Sequence, residues 1–336
     1  MANLSQEYAE ILLPCTVFIS VAGVLGIVGN IIVIILYWCK IEDENGDRYF
    51  IPVLAVVDML GSITMTIYNL MDNYFIFNYP SEHLCRWLTF SMMFNGLLSP
   101  TLLLVIAVQR YKKVCQPSER HVTLKWRRCS IFFSVIFSAF IMIPCLFFSG
   151  TSTMTVNFQG QNVTGTLCKI IDHDNAHHHR SLIFLHLGGI YTLLTAILII
   201  LVVLYALIAV RIRKVFQVLG TEHEPLHPSE KGPNRQLGNK GIQTGFNLMY
   251  ALIVIMFIIS FVPTAVTLIL AYTSVRYFEL SNSALVLWMI LARFMIVNHF
   301  VNPVIYTCFD VKFRSALSDI CSCCKSKTPY EMSVPS

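Results

Sequence analysis

The chain has 336 residues, 55% hydrophobic and only 13% charged, with a mean hydropathy of +0.64. That balance excludes an ordinary soluble domain. A net charge of +5 does not describe a nucleic-acid face, because the charges alternate with membrane-length apolar runs.

Ile11 to Cys39 and Ser181 to Val210 carry no Asp, Glu, Lys or Arg. Each exceeds the roughly 20 residues that cross a bilayer as a helix. The apolar runs predict seven spans at roughly 11–39, 49–75, 84–115, 128–149, 181–213, 242–272 and 281–308. The expectation is an all-α membrane protein: a short extracellular tail over 1–10, a bundle over 11–308, an amphipathic helix over 309–320 and a cytoplasmic tail over 321–336. The N-terminus lacks a basic region, so the first run reads as a retained span and not a signal peptide. A tail this short carries the expectation of no separate extracellular binding domain.

With the N-terminus outside, Lys and Arg sort by side. The inner segments hold 19 of the 24, the outer ones hold Arg86, Lys169, Arg180 and Arg276, and Arg293 lies within a span. This is the positive-inside bias. Two glycosylation sequons, at Asn3 and Asn162, both fall on the outer side.

In the first span, Gly26 and Gly29 suit close helix packing, and the amide of Asn30 needs an interhelical bond. Asp58 lies at mid-membrane in the second span. A charge there costs roughly 2.5–3.5 kcal/mol on insertion scales and marks a functional position. The third span starts at Cys85, contains the hydroxyl of Ser99 and ends in Gln109-Arg110-Tyr111, where a guanidinium can snorkel to water. Pro144 lies near the outer end of the fourth span. The loop beyond it runs through Cys168 to a histidine-rich stretch. His173 and His177 have an i, i+4 spacing that would suit zinc on a helix, although such runs are more often solvated loop. Cys85 and Cys168 fall on the oxidising side and form the natural disulfide. Cys321, Cys323 and Cys324, near the inner membrane surface, suit palmitoylation.

Tyr205 is near the inner end of the fifth span. Gly220 to Lys240, with three prolines, reads as a linker. Phe257 and Phe261 precede Pro263 in the sixth span. The spacing fits core packing and equally a pivoting helix. The seventh span ends in Asn302-Pro303-Val304-Ile305-Tyr306. Pro303 removes a backbone donor and predicts a hinge. Asn302 must face a packed or wet interior, and the Tyr306 hydroxyl needs a partner. Phe309, Phe313 and Leu317 share one face of a helix lying on the membrane surface.

These residues together resemble a rhodopsin-like G-protein-coupled receptor along nearly the whole chain. Gly29-Asn30 matches the first-span pattern, and Leu54 to Asp58 the second-span aspartate motif. Gln109-Arg110-Tyr111 resembles the Asp-Arg-Tyr motif, 25 positions from Cys85 to Arg110 as the family has. Phe257 to Pro263 resembles the sixth-span aromatic–proline motif, and Asn302 to Tyr306 is the full seventh-span motif. The resemblance implies a receptor in the plasma membrane, with no catalytic chemistry and no cofactor. It implies an allosteric sodium ion and water held by Asp58, Ser99, Asn298 and Asn302. Phe257 and Phe261 would couple ligand binding to a swing of the sixth helix about Pro263. Arg110, Tyr205 and Tyr306 would rearrange to open a groove for a heterotrimeric G protein. Physically this is a two-state equilibrium biased by an outer ligand.

The chain departs from the family at several points. Gln109 replaces the motif's acid, and no acid stands near Gln243, which implies a weaker inactive-state restraint and raised basal activity. Phe261 stands where tryptophan is usual, and Ser260 where cysteine is. The fourth span lacks its tryptophan, and Ile197 stands near the place of the fifth span's proline. An amine receptor resembling this chain would carry an aspartate at Met92, and an opsin a lysine at Ile296. The expected ligand is therefore neither a typical amine nor retinal. A peptide is preferred over other small molecules, in an apolar pocket lined by Tyr68, Met92, Met93 and Phe261. Arg293 has two readings, a partner for an anionic ligand group or for Asp72. The alternative function is a transporter or channel using Asp58 and Arg293, which would show internal repeats that the sequence lacks.

Overall fold

The computed structural model describes residues 2–41, 46, 48–116, 122–158, 161–170, 177–221, 233–273 and 280–325, with side chains described at all of these except 2–3, 156–158, 161, 177–180, 215–221, 233–244, 272–273 and 320–325. His173 and the 326–336 end of the tail lie outside the described residues, as do the side chains of Asn3, His177, Gln243, Cys321, Cys323 and Cys324.

The segment expected to be a short tail over 1–10 forms a helix, α1 (Ala2–Ile11). Leu4 is buried, and Tyr8 sets its edge on Phe77 with ring centroids 5.1 Å apart. The spans follow as α2 (Leu13–Cys39), α3 (Phe50–Tyr74), α4 (Glu82–Cys115), α5 (Leu124–Met142) continued by the short α6 (Cys145–Phe148), α7 (His177–Thr221) and α8 (Pro233–Thr273). The seventh is a bent pair, α9 (Asn282–Ala292) and α10 (Ile296–Phe309), meeting at 59°. Six described helices are long and apolar enough to cross a membrane, and the bent pair makes seven. Helix α11 (Val311–Lys325) follows the last span.

The bundle is apolar outside as well as inside. Val17, Val21, Val24 and Val28 on α2 and Phe132, Phe133 and Phe140 on α5 are exposed. Such faces are at home in lipid, which supplies no hydrophobic force to hold helices together. Close packing and polar contacts between helices must do so. Gly26 shows the first: a Cβ there would sit 2.1 Å from Ser62 Oγ, so only glycine lets α2 and α3 approach this closely.

Asn30 shows the second. Pro303 cannot donate to the carbonyl one turn back, that of His299. The Asn30 amide donates to that oxygen over 2.8 Å and to Gly26 O over 2.8 Å. The orphaned acceptor is satisfied from a neighbouring helix, and α10 runs unbroken through Pro303. The bend lies instead at residues 293–295. There the chain tightens into i→i+3 bonds, Phe294 N to Leu291 O and Ile296 N to Arg293 O, at 3.2 and 3.1 Å. Thr264 of α8 covers the break, its Oγ1 accepting from Met295 N at 3.1 Å and lying 3.3 Å from Leu291 O. The sequence points to Pro303 because proline is visible there. The true break is a tertiary solution, completed by a threonine on another helix.

The segment read as a loop after the fourth span is an antiparallel hairpin, β1 (Ser149–Phe158) with β2 (Gln161–Ile170). It is pinned to the α3–α4 connection by Tyr79 N to Thr166 O (3.1 Å) and Thr166 N to Phe77 O (3.0 Å). A disulfide joins Cys85 at the start of α4 to Cys168 on β2. At the opposite end, Asp310 caps α11 by accepting from Lys312 N at 3.0 Å. Phe313 is buried, and Phe309 and Leu317 pack on the core beside it.

Removing the disulfide frees a loop of 83 residues. Cys168→Ser should lower stability by about 2–4 kcal/mol, and Cys85→Ser/Cys168→Ser should fall no further than either single variant. Thermal unfolding of the detergent-purified protein checks both.

Candidate functional site

Three sites stack along the bundle axis. The first is a cavity of about 410 Å³ beneath the hairpin, within the range of small-ligand pockets. Tyr68, Met92, Met93, Phe261 and Arg293 all line it. Cys168, Lys169 and Ile170 of β2 roof one side. The disulfide thus fixes the hairpin over the cavity.

Arg293 does not stand open as an anion site. Its Nη2 donates to Asp72 Oδ2 at 2.5 Å, its Nε to Asn69 Oδ1 at 2.9 Å and its Nη1 to Cys15 Sγ at 3.2 Å. The Asp72 side chain keeps 26% of its exposure and that of Arg293 only 6%. The pair meets the cavity as a nearly neutral unit with its acceptor side more open. The bend at 293–295 ends α9 at this position. Burial, with Asp72 nearby, pushes the Tyr79 hydroxyl beside the disulfide up to about 12.

Phe261 links this cavity to the core. It stacks on fully buried Phe257 with centroids 5.7 Å apart and planes within 17°. Pro263 lies within α8, two residues beyond Phe261.

The second site is a polar cluster at mid-bundle. Asp58, Ser99, Asn298 and Asn302 come together, all essentially without solvent exposure. Ser99 Oγ donates to Asp58 Oδ1 at 3.3 Å, Asn302 Nδ2 to Asp58 Oδ2 at 2.6 Å and Asn298 Nδ2 to Ser99 Oγ at 3.3 Å. The sequence reading missed a fifth member, His299, whose Nδ1 lies 3.0 Å from Asp58 Oδ1. An ionisable side chain one turn before Pro303, between two motif asparagines, was the available signal.

The third site is at the far end. Arg110 is buried, with its guanidinium 4.7 Å from the Tyr250 ring and 5.6 Å from the Phe246 ring. Arg48 covers Phe246 at 4.3 Å. Arg48 also grips Asp310 through two bonds of 3.0 and 3.1 Å, and Tyr37 donates to the same carboxylate at 2.6 Å. Gln109 donates to Gly46 O at 3.2 Å, tying α4 to the α2–α3 connection. Tyr205 is half-buried on α7. Tyr306 is fully buried between Tyr37 and Phe313, and its hydroxyl has no hydrogen-bond partner among the described residues. Sequence reasoning missed Arg48, Phe246, Tyr250 and Asp310, since no local pattern announces a guanidinium–aromatic stack.

Asn162 is exposed on β2 near the hairpin turn. Among the described residues no group of three or more His, Cys, Asp or Glu is placed to hold a metal ion.

A seven-span helical bundle with a polar cluster at its centre and a ligand-sized cavity at one end is an architecture suited to a membrane receptor. A family model described as "7 transmembrane receptor (rhodopsin family)" matches residues 29–306, and the chain belongs to that family. As a member of that family it is a multi-pass membrane protein. The chain is 24% identical to the thyrotropin-releasing hormone receptor of Bos taurus, over 89% of this chain and 75% of that protein. It is 30% identical to the neuropeptide Y receptor type 4 of Rattus norvegicus, over 43% of this chain and 39% of that one. The matched stretches span less than two-fifths of the first curated relatives. The crystal structure of squid rhodopsin superposes with a TM-score of 0.68 at 18% identity, over 98% of this chain and 89% of that one, which shows a shared fold.

Breaking the buried Arg293–Asp72 pair from one side leaves an uncompensated charge. Arg293→Met should therefore destabilise the protein by about 3–5 kcal/mol. Adding Asp72→Asn should recover part of that loss. Unfolding midpoints of the two single variants and the double variant give the coupling directly.

Proposed function

We propose that this chain is a plasma-membrane receptor, with its N-terminus and hairpin extracellular, that transmits binding of a peptide to a heterotrimeric G protein. The carrying observation is the 410 Å³ cavity roofed by β2 and floored by Phe261, whose stack on Phe257 leads into the core. The cavity can hold the end of a peptide while the rest lies along the hairpin. Two receptors similar to the chain are named for peptides, thyrotropin-releasing hormone and neuropeptide Y. The neutral Arg293–Asp72 unit favours an uncharged or amide-bearing ligand end over a free carboxylate. Ile296 offers no amine for a Schiff base, and Met92 no charge for an amine.

In this reading the ligand shifts Phe261, Phe257 transmits the shift, and α8 moves at its Phe246–Tyr250 end. That movement strips aromatic rings from Arg110 and frees it, with Tyr205 and Tyr306, for a G protein. Asn3 and Asn162 would carry glycans, and Cys321, Cys323 and Cys324 would carry palmitate. Zinc at His173 and His177 stays a separate proposal that chelation in a binding assay would test.

A peptide library screened on cells with a promiscuous G-protein readout should yield agonists, and Trp288→Ala or Tyr191→Ala, both on the cavity wall, should weaken them about tenfold. Lipid agonists with no active peptide would sink the peptide assignment. Arg110→Ala should abolish nucleotide exchange on the G protein while ligand binding persists.

Aromatic rings of α8, Phe246 and Tyr250, contribute to the restraint on that helix through Arg110. A cation–π contact contributes about 0.5–2 kcal/mol, so Phe246→Leu should raise basal nucleotide exchange severalfold. Gln109→Asp should lower it by giving Arg110 a carboxylate. Equal basal rates in wild type and both variants would refute this account of the restraint.

A further inference from the structure

The mid-bundle cluster holds a group that Asp58, Ser99, Asn298 and Asn302 leave out. His299 is fully buried, and its ring lies flat against the backbone of α3: a Cβ on Gly61 would fall 2.6 Å from His299 Cε1. The room beside Asp58 is therefore filled by an imidazole, and glycine at position 61 is what admits it.

The chemistry of the carboxylate agrees. Asp58 Oδ1 accepts from Ser99 Oγ and lies 3.0 Å from His299 Nδ1, which donates to it in the tautomer that carries its hydrogen there, and Oδ2 accepts from Asn302 Nδ2. Hydrogens with positive partial charge face both oxygens. A bound sodium ion needs the reverse, several oxygen lone pairs converging on one point. Hard cations take oxygen ligands, and imidazole suits softer transition metals. With an imidazole nitrogen and not an oxygen set beside Asp58 Oδ1, the cluster as packed does not fit the ion that the family resemblance implies.

We propose that the imidazole of His299 stands in the place of a sodium ion, so that Asp58 is served by a tethered side chain and not by an exchangeable cation. The same residue is held from the other side, because its carbonyl accepts the Asn30 amide. Helices α2, α3 and α10 thus meet through one residue. The contact between α3 and α10 is set by the chain itself and does not respond to the salt outside the cell. Two amide oxygens nearby, Asn298 Oδ1 and Asn302 Oδ1, have no protein donor among the described residues. They are the atoms through which sodium would enter if the imidazole failed to exclude it. The inference rests on this cluster and not on the ligand or the G protein, so it can fail without the receptor assignment failing.

The test is thermal unfolding of the detergent-purified full chain across a sodium chloride titration, with choline replacing sodium at constant ionic strength. The wild-type midpoint should stay flat. His299→Ser and His299→Gly remove the ring, and each should gain a saturable, sodium-specific rise of about 2–4 °C. Should both fail to fold, His299→Asn, intermediate in size, replaces them. A saturable rise of that size in wild type overturns the proposal. So does a flat response in every folded variant, because the imidazole would then not be what keeps sodium out.

Discussion

A carboxylate buried at the centre of the bundle sets the terms for the rest. Asp58 is costly in hydrocarbon, so its neighbours must supply hydrogens. Ser99 comes from α4, and Asn302 and His299 come from α10. These bonds hold the rotation of both helices relative to α3. Pro303 would spoil the arrangement by orphaning the His299 carbonyl, and Asn30 of α2 repairs it. Four helices are therefore registered around one charge and one missing backbone donor.

The other buried charges follow the same logic at the two ends. Arg293 meets Asp72, Asn69 and Cys15 at the cavity, and Arg48 meets Asp310 at the far end. Arg110 lies against the faces of two aromatic rings, Phe246 and Tyr250. Pairing with a carboxylate and stacking on a ring differ in reach. A ring contact is short-ranged and is lost over a small displacement of α8, whereas a charge pair persists over a longer one. A restraint made of rings should release more abruptly.

The break at residues 293–295 reconciles the first two sites. A straight α-helix, at about 100° per residue, would point Arg293 roughly 140–180° away from Asn298 and Asn302. The 59° bend lets Arg293 turn toward Asp72 while Asn298, His299 and Asn302 stay on Asp58. Thr264 secures the bend from α8, the helix that also carries Phe257 and Phe261. The cavity wall, the break and the aromatic stack therefore share a single element.

The sequence alone determined the spans, their number and the polar residues inside them. Uninterrupted apolar length and a charge in hydrocarbon are local properties that need no partner to be recognised. The fold class, the Cys85–Cys168 disulfide and an amphipathic helix after the last span, expected over 309–320 and found as Val311–Lys325, follow from similar signals. Only the tertiary structure decided where the seventh span bends, what Arg293 faces, that the hairpin roofs the cavity and that His299 sits on Asp58. Each of these depends on which donor a neighbouring helix brings within about 3 Å, and that distance is settled by packing, not by the order of residues in one segment.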